Sequence, residues 1–382
     1  MKIGIITIHA ADNYGAVLQA YALQTFLEKL GNDVSLVDYR PEYMTNGGGL
    51  KWPCSKRDVH TNAGILFIKL GLLRSAVLGH ERKNAFNAFR ERNLRTSQRA
   101  YESLAELKEH LPHFDALVCG SDQIWNPPAR HGVDPAYYLA FGGTSTKRLS
   151  YAASFGRGHV EEEYCGPIGK LLLGLDAISV REESGLRLVQ ELSGRQASWV
   201  PDPTLLIDDY SSATTPPDFD NFIFSYSLRN HKTVAAVANC VSNICNLRTI
   251  TPYDPQYQWM SKGSIVSLGP SEWLGHMARS RFVVTNSFHG TVFSILFKKP
   301  FVTIALSGNK QAYNERSFCL LDRLGLTNRI VRDGLDKKDL CNQIEDQIDW
   351  SAVQSKLQTW RAEGHSFLVT ALSNSCVDQN AR

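Results

Sequence analysis

Short apolar runs recur from one end of this chain to the other, and most lead through a polar or glycine-bearing loop into residues with apolar positions at helical spacing. Runs at 3–8, 34–37, 115–119, 148–153 and 177–180 occupy the first half, and runs at 222–227, 248–251, 264–268, 281–285 and 300–305 the second. Unbroken apolar runs, rather than alternating ones, mark strands covered on both faces, so the pattern asks for parallel sheets with crossover helices. Helices are expected over 16–30, 232–244, 271–279 and 290–298, the first stopping at Gly31. The fold class is therefore α/β.

At 382 residues the chain is longer than one hydrophobic core usually organises. The stretch Pro201–Asp220, with Pro201, Pro203, Pro216 and Pro217 among Ser, Thr and Asp, has a composition that disfavours regular structure. We place a first Rossmann-like domain at 1–205, a linker at 206–220, a second Rossmann-like domain at 221–345 and a C-terminal helical segment at 346–382. Two such domains facing each other leave a cleft.

The apolar fraction of 43% and charged fraction of 21% are those of a globular protein, and no run approaches the roughly 20 apolar residues of a membrane-spanning helix. The start, Met1-Lys2 followed by a short apolar run with no cleavage site behind it, reads as a strand rather than a signal peptide, so a cytoplasmic location is expected. Eight scattered cysteines without a Cys-x-x-Cys pair give no metal site and no disulfide framework. A net charge of +3 is too small to suggest nucleic acid as a partner. Residues 51–100 nevertheless hold eleven Lys or Arg against three Asp or Glu, and 65–74 could form either an amphipathic helix on an anionic membrane or a core-packing helix with a basic outer face.

In open parallel sheets ligands bind beyond the carboxyl ends of the strands. Four loops stand there. His9 to Gly15 opens a helix: Asn13, Tyr14, Gly15 and Gln19 could meet an anion or sugar hydroxyl, or Asn13 could simply cap the helix. Gly120 to Asn126 sets Ser121, Asp122, Gln123 and Asn126 beside the indole of Trp125, a combination that suits a sugar but also occurs in structural turns. Arg181 follows a buried strand, where its fork can hold a carboxylate or phosphate, or pair with Glu182 or Glu183. Asn286, Ser287, His289 and Gly290 end a strand at a helix start; the histidine is catalytic or structural, and the glycine lets a ligand approach the backbone.

The ordered set Asn13-Tyr14-Gly15-Ala16-Val17-Leu18-Gln19, Val118 to Asn126, Tyr151 to Gly156, Ser179-Val180-Arg181-Glu182, Asp202-Pro203-Thr204-Leu205-Leu206 and Thr285 to Thr291 resembles the polysaccharide pyruvyl transferase family. The resemblance implies a glycosyltransferase-B-like pair of domains, the first on the acceptor side. It implies transfer of pyruvate from phosphoenolpyruvate to two sugar hydroxyls as a cyclic ketal with release of phosphate, in bacterial capsule, exopolysaccharide or cell-wall glycan synthesis. It also implies donor binding by Arg181 and donor binding or acid catalysis by His289, with no cofactor beyond the donor substrate. Many members carry an arginine where this chain has Ser287, so a second donor cation is unassigned, with Arg229, Arg279 and Arg316 as candidates. A lipid-linked acceptor would give the basic 51–100 segment a place at the inner membrane face. The alternatives are a nucleotide-sugar glycosyltransferase of the same architecture and an inactive sugar-binding module.

Overall fold

The computed structural model describes residues 1–45, 62–127, 132–228, 231–254, 264–332 and 337–373. The first sheet comprises β1 (Lys2–Ile6), β2 (Asp33–Tyr39), β3 (Thr96–Tyr101), β4 (Ala116–Cys119) and β5 (Lys147–Ser150), hydrogen-bonded in the order β3-β2-β1-β4-β5. Two short strands, β6 (Ser179–Val180) and β7 (Ser198–Trp199), continue it through bridges at Leu149–Ala177 and Ala153–Val180. The second sheet comprises β8 (Phe222–Tyr226), β9 (Arg248–Pro252), β10 (Ser264–Val266), β11 (Phe282–Thr285), β12 (Phe301–Ile304) and β13 (Ile330–Val331), in the order β10-β9-β8-β11-β12-β13. Among the described residues every strand pairing is parallel.

Crossover helices make this possible. In the first domain they are α1 (Tyr14–Lys29), the single turn α2 (Glu42–Thr45), α3 (Asn62–Asn93), α4 (Leu104–His110), α5 (Glu162–Leu172) and α6 (Glu183–Ser193). In the second they are α7 (His231–Cys245), α8 (Pro270–Arg279), α9 (Phe288–Leu296), α10 (Glu315–Leu324) and α11 (Lys337–Glu345), and α12 (Trp350–Ser373) follows. The expectation of two Rossmann-like α/β domains in a glycosyltransferase-B-like arrangement is met. Gly31, at φ 81°, adopts the left-handed conformation that ends the first crossover.

Three features differ from the sequence reading. The linker 206–220 is packed and partly regular: Leu206, Ile207, Tyr210 and Ala213 are buried, a short 3₁₀ turn forms at Ser211–Ala213 after another at Pro203–Leu205 at the end of the first domain, and the apolar core runs through them from one domain to the other. Proline and serine disfavour long elements there but do not prevent burial. Helix α12 crosses back onto the first domain, where Trp360 meets Trp199 with ring centroids 5.6 Å apart and Phe367 meets Tyr151 at 6.3 Å. Strand β3 has no apolar run in the sequence, because it is an edge strand with mostly exposed polar side chains.

The basic stretch belongs largely to α3. The side chains of Lys69 and Arg74 lie outside the described residues. Arg82 turns inward, packing on the rings of Tyr14 and Phe86 and donating a hydrogen bond to the Asp12 carbonyl oxygen. Among the described residues no helix is long and apolar enough to cross a membrane.

Candidate active site

The carboxyl ends of the two sheets face each other, and the first turns of α1 and α9 meet there. Asn13 caps α1, its Oδ1 accepting from the Ala16 N–H at 3.2 Å, and it also lines the cleft. Gln19 is fully buried; its Nε2 donates to Thr7 Oγ1 at 2.8 Å and to the Ala16 carbonyl at 2.9 Å, which braces the loop from behind. Tyr14 joins the domains, its hydroxyl donating to the Leu268 carbonyl at 2.9 Å and its ring stacked on Trp273 at 5.2 Å. Burial pushes the Tyr14 phenol up to about 12. Gly15 lies against His289, and a Cβ there would run into the imidazole.

The loop after β4 divides its residues between cleft and core. Asp122, at φ 75°, and Gln123 line the cleft. With its oxygen turned to the guanidinium, the Gln123 carboxamide accepts from both terminal nitrogens of Arg316 at 3.0 Å. Asn126 Oδ1 accepts from Arg157 Nη2 at 3.1 Å. Trp125 is 1% exposed. One ring face stacks on Tyr138 at 5.2 Å, Phe155 packs at 5.3 Å, and the indole N–H donates to the Tyr137 carbonyl. The flat surface expected to receive a sugar is occupied by the protein's own core.

Arg181 also points inward. Its side chain is 1% exposed, with Nη1 donating to Asp202 Oδ2 at 2.8 Å and Ser121 Oγ at 3.1 Å, Nε donating to Glu182 Oε1 at 3.0 Å, and Nη2 3.8 Å from Asp122 Oδ1. Asp202 is the residue the sequence reading undervalued, placed at the mouth of an expected linker. Its Oδ2 accepts from Ser121 Oγ at 2.8 Å and its Oδ1 from Thr204 Oγ1 at 2.6 Å. Burial alone would raise its pKa, but His289, Arg181 and Thr204 together hold it well below the usual carboxylate range. The signal available was an aspartate between two prolines within a motif of the family resemblance.

Across the cleft, Ser287 caps α9 by accepting from the Gly290 N–H at 3.3 Å, and Asn286 is tied to the Leu228 backbone N–H at 2.6 Å. Gly290 gives its missing Cβ to packing, because any side chain there would strike Thr285 Oγ1. His289 is 6% exposed; its Nε2 lies 3.7 Å from Asp202 Oδ2, too far for a hydrogen bond, and has no hydrogen-bond partner.

The resulting cleft has a cavity volume of about 100 Å³, and Asn13, Asp122, Gln123, Asn286, Ser287 and His289 line it, as do Phe288 and Arg316. Ser121 and Arg181 stand behind this lining. Of the three further arginine candidates, Arg279 pairs with Asp220 at 2.8 Å away from the cleft, and Arg229 lies outside the described residues. Arg316 is left as the cleft's arginine among the described residues. A polar cavity with one arginine, one histidine and two helix amino termini suits a small anion and a proton transfer beside it.

A Listeria monocytogenes protein described as a UDP-N-acetylglucosamine 2-epimerase shares the fold with a TM-score of 0.51 at 10% identity, over 97% of this chain and 95% of that one. Two further solved structures are more distant. The Methanocaldococcus jannaschii UDP-GlcNAc 2-epimerase with UDP-GlcNAc and UDP gives 0.49 at 13% identity over 98% and 100% of the chains. The spinosyn rhamnosyltransferase SpnG gives 0.45 at 10% over 98% and 100%. No curated protein matches the sequence. The sequence profile of polysaccharide pyruvyl transferases, by contrast, matches residues 13–308, a span from the cap of α1 through both sides of the cleft, and the chain belongs to that family.

Proposed function

We propose that this protein transfers pyruvate from phosphoenolpyruvate to two hydroxyls of a sugar, forming a cyclic ketal and releasing phosphate. The observation that carries the proposal is His289, a buried imidazole without a hydrogen-bond partner in a cleft that also holds Arg316. Protonation of the donor's methylene carbon turns the adjacent carbon oxocarbenium-like, and an imidazolium is a suitable acid for that step. The first sugar hydroxyl adds and returns its proton to the imidazole. Phosphate then leaves, and the second hydroxyl closes the ring. The two hydroxyl protons end on the new methyl group and on phosphate, so the sum balances without an oxidant or reductant, and no cofactor is called for.

The acceptor enters from the first domain, past Gln123 and Asn126. If it is lipid-linked, the protein works at the inner membrane face, and sedimentation with anionic vesicles at low salt reads that directly. The reaction itself is tested by mass spectrometry of a candidate glycan incubated with phosphoenolpyruvate, with a parallel assay for released phosphate. A mass gain of one pyruvate ketal is the expected result. Product formed only from a nucleotide sugar replaces this reading with glycosyl transfer.

A further inference from the structure

We propose that a small pocket sharing Gln123 with the cleft is an acceptor subsite that takes the acetamido group of an N-acetylated sugar. The inference rests on the reaction proposed above and names the class of acceptor it uses.

Size and polarity select the group. The pocket has a cavity volume of about 40 Å³ and adjoins the cleft, since Gln123 lines both. One water needs roughly 10–15 Å³ of such space, so the pocket holds about three water-sized units, enough for an acetyl group and too little for a sugar ring. Ile8, Met44, Ile124, Pro127 and Val133 line it and offer a methyl group apolar contact. Its polar wall is built around Asp134. Tyr39 and Tyr43 donate to Asp134 Oδ2 at 2.8 and 2.6 Å, and Asp134 Oδ1 accepts from the Ala136 N–H at 2.9 Å, so this carboxylate is spent on fixing the wall. Tyr137 also lines the pocket and is 3% exposed, and its hydroxyl is buried without a hydrogen-bond partner among the described residues. Burial and the charges of Asp134 and Asp122 push this phenol well above its ordinary range, so it remains a donor. The Tyr138 hydroxyl is unpartnered too, but the charge that reaches it is that of the core thiol Cys119. An acetyl oxygen in the pocket accepts from Tyr137 and recovers the cost of burying that hydroxyl unpaired, while the methyl meets the apolar side. A bare sugar hydroxyl is too short to do both, and a free amine would bring an unpaired charge into apolar surroundings.

The test uses methyl glycosides of N-acetylglucosamine, N-acetylgalactosamine and N-acetylmannosamine, each against its glucose, galactose or mannose counterpart. Saturation-transfer NMR reads binding, and ketal formation from phosphoenolpyruvate reads turnover, on the wild type, Tyr137→Phe and Val133→Phe. The wild type should saturate the acetyl methyl and favour the acetamido member of at least one pair about ten- to a hundredfold in kcat/KM. Tyr137→Phe removes one hydrogen bond to the ligand and should cut that preference about three- to tenfold. Its Tm should hardly move, because the hydroxyl bonds to nothing in the empty protein. Val133→Phe fills the pocket and should abolish the preference and the methyl saturation together. No methyl saturation in the wild type with any of the three glycosides, or a preference that Tyr137→Phe leaves intact, overturns the assignment. Tyr137→Phe decides even if Val133→Phe fails to fold. Methyl saturation without any ketal product overturns the transfer reading while the pocket's ligand stands, so the two failures are distinct.

Discussion

The two walls of the cleft are built from the same device, a strand running into the amino end of a helix, but they finish it differently. On the first-domain wall most polar groups close on one another, Arg181 with Asp202 and Glu182, Ser121 with Asp202, Ser154 Oγ with Glu182 at 2.8 Å and Gln19 with Thr7, and only single atoms, Arg181 Nη2 and Gln19 Oε1, are left without a hydrogen-bond partner among the residues of this network. On the second-domain wall His289 keeps a buried nitrogen without a hydrogen-bond partner. A satisfied network stabilises one geometry and resists ligands, since any newcomer must replace a bond already made. A buried polar atom left without a partner costs free energy in the empty state, and a ligand can recover it. The walls differ in access: His289 lines the cleft, whereas Arg181 and Gln19 stand behind its lining.

The sharpest way to break this comparison is at His289. His289→Ala should lower turnover about a hundred- to ten-thousandfold, the typical contribution of general acid catalysis, with an unchanged circular dichroism spectrum. Gln donates a hydrogen bond but delivers no proton, so His289→Gln should be nearly as slow if the imidazole is the acid. Near-normal turnover in His289→Ala would remove the chemistry from this wall.

Asp202→Asn attacks the opposite wall and should cost about 3–5 kcal/mol of stability by leaving Arg181 with a weakened buried partner. The sign of its pH dependence follows from the lowered pKa of Asp202 in the folded protein. A depressed carboxylate contributes stability that is fully present above its unfolded value, about pH 4, and is lost as pH falls below it. Denaturation curves should therefore show the gap between wild type and Asp202→Asn narrowing below about pH 4. A gap that stays constant from pH 7 to pH 3 contradicts the paired carboxylate.

A smaller effect is expected where the walls touch. In Gly15→Ala the new methyl must push the His289 ring aside. Displacing a catalytic group by an ångström costs up to about a hundredfold in rate, while overpacking of this kind costs about 1–3 kcal/mol in stability. Measured together, a rate loss exceeding what the Tm shift explains marks a positional effect; equal activity shows that the imidazole tolerates the move.

The sheet architecture was legible because strand and helix periodicities are local: the runs at 34–37, 222–227 and 281–285 each fall within or on a strand of the structure. So was the placement of Asn286, Ser287 and His289 at a strand end. What local pattern could not give was direction. Trp125 and Arg181 have the residue chemistry of a ligand site, yet whether an indole face meets a sugar or Tyr138, and whether a guanidinium meets phosphate or Asp202, depends on partners 13 and 21 positions away that only folding brings near. Asp202 falls at the end of the first domain in a proline-rich stretch, and prolines on either side disfavour helix and strand but say nothing about burial. The sequence by itself determined the α/β alternation and which strand ends carry polar residues, since both follow from neighbours in the chain. The tertiary structure decided which of those residues spend their hydrogen bonds on each other and which keep one in reserve, because that depends on the register of two domains packed through a shared core.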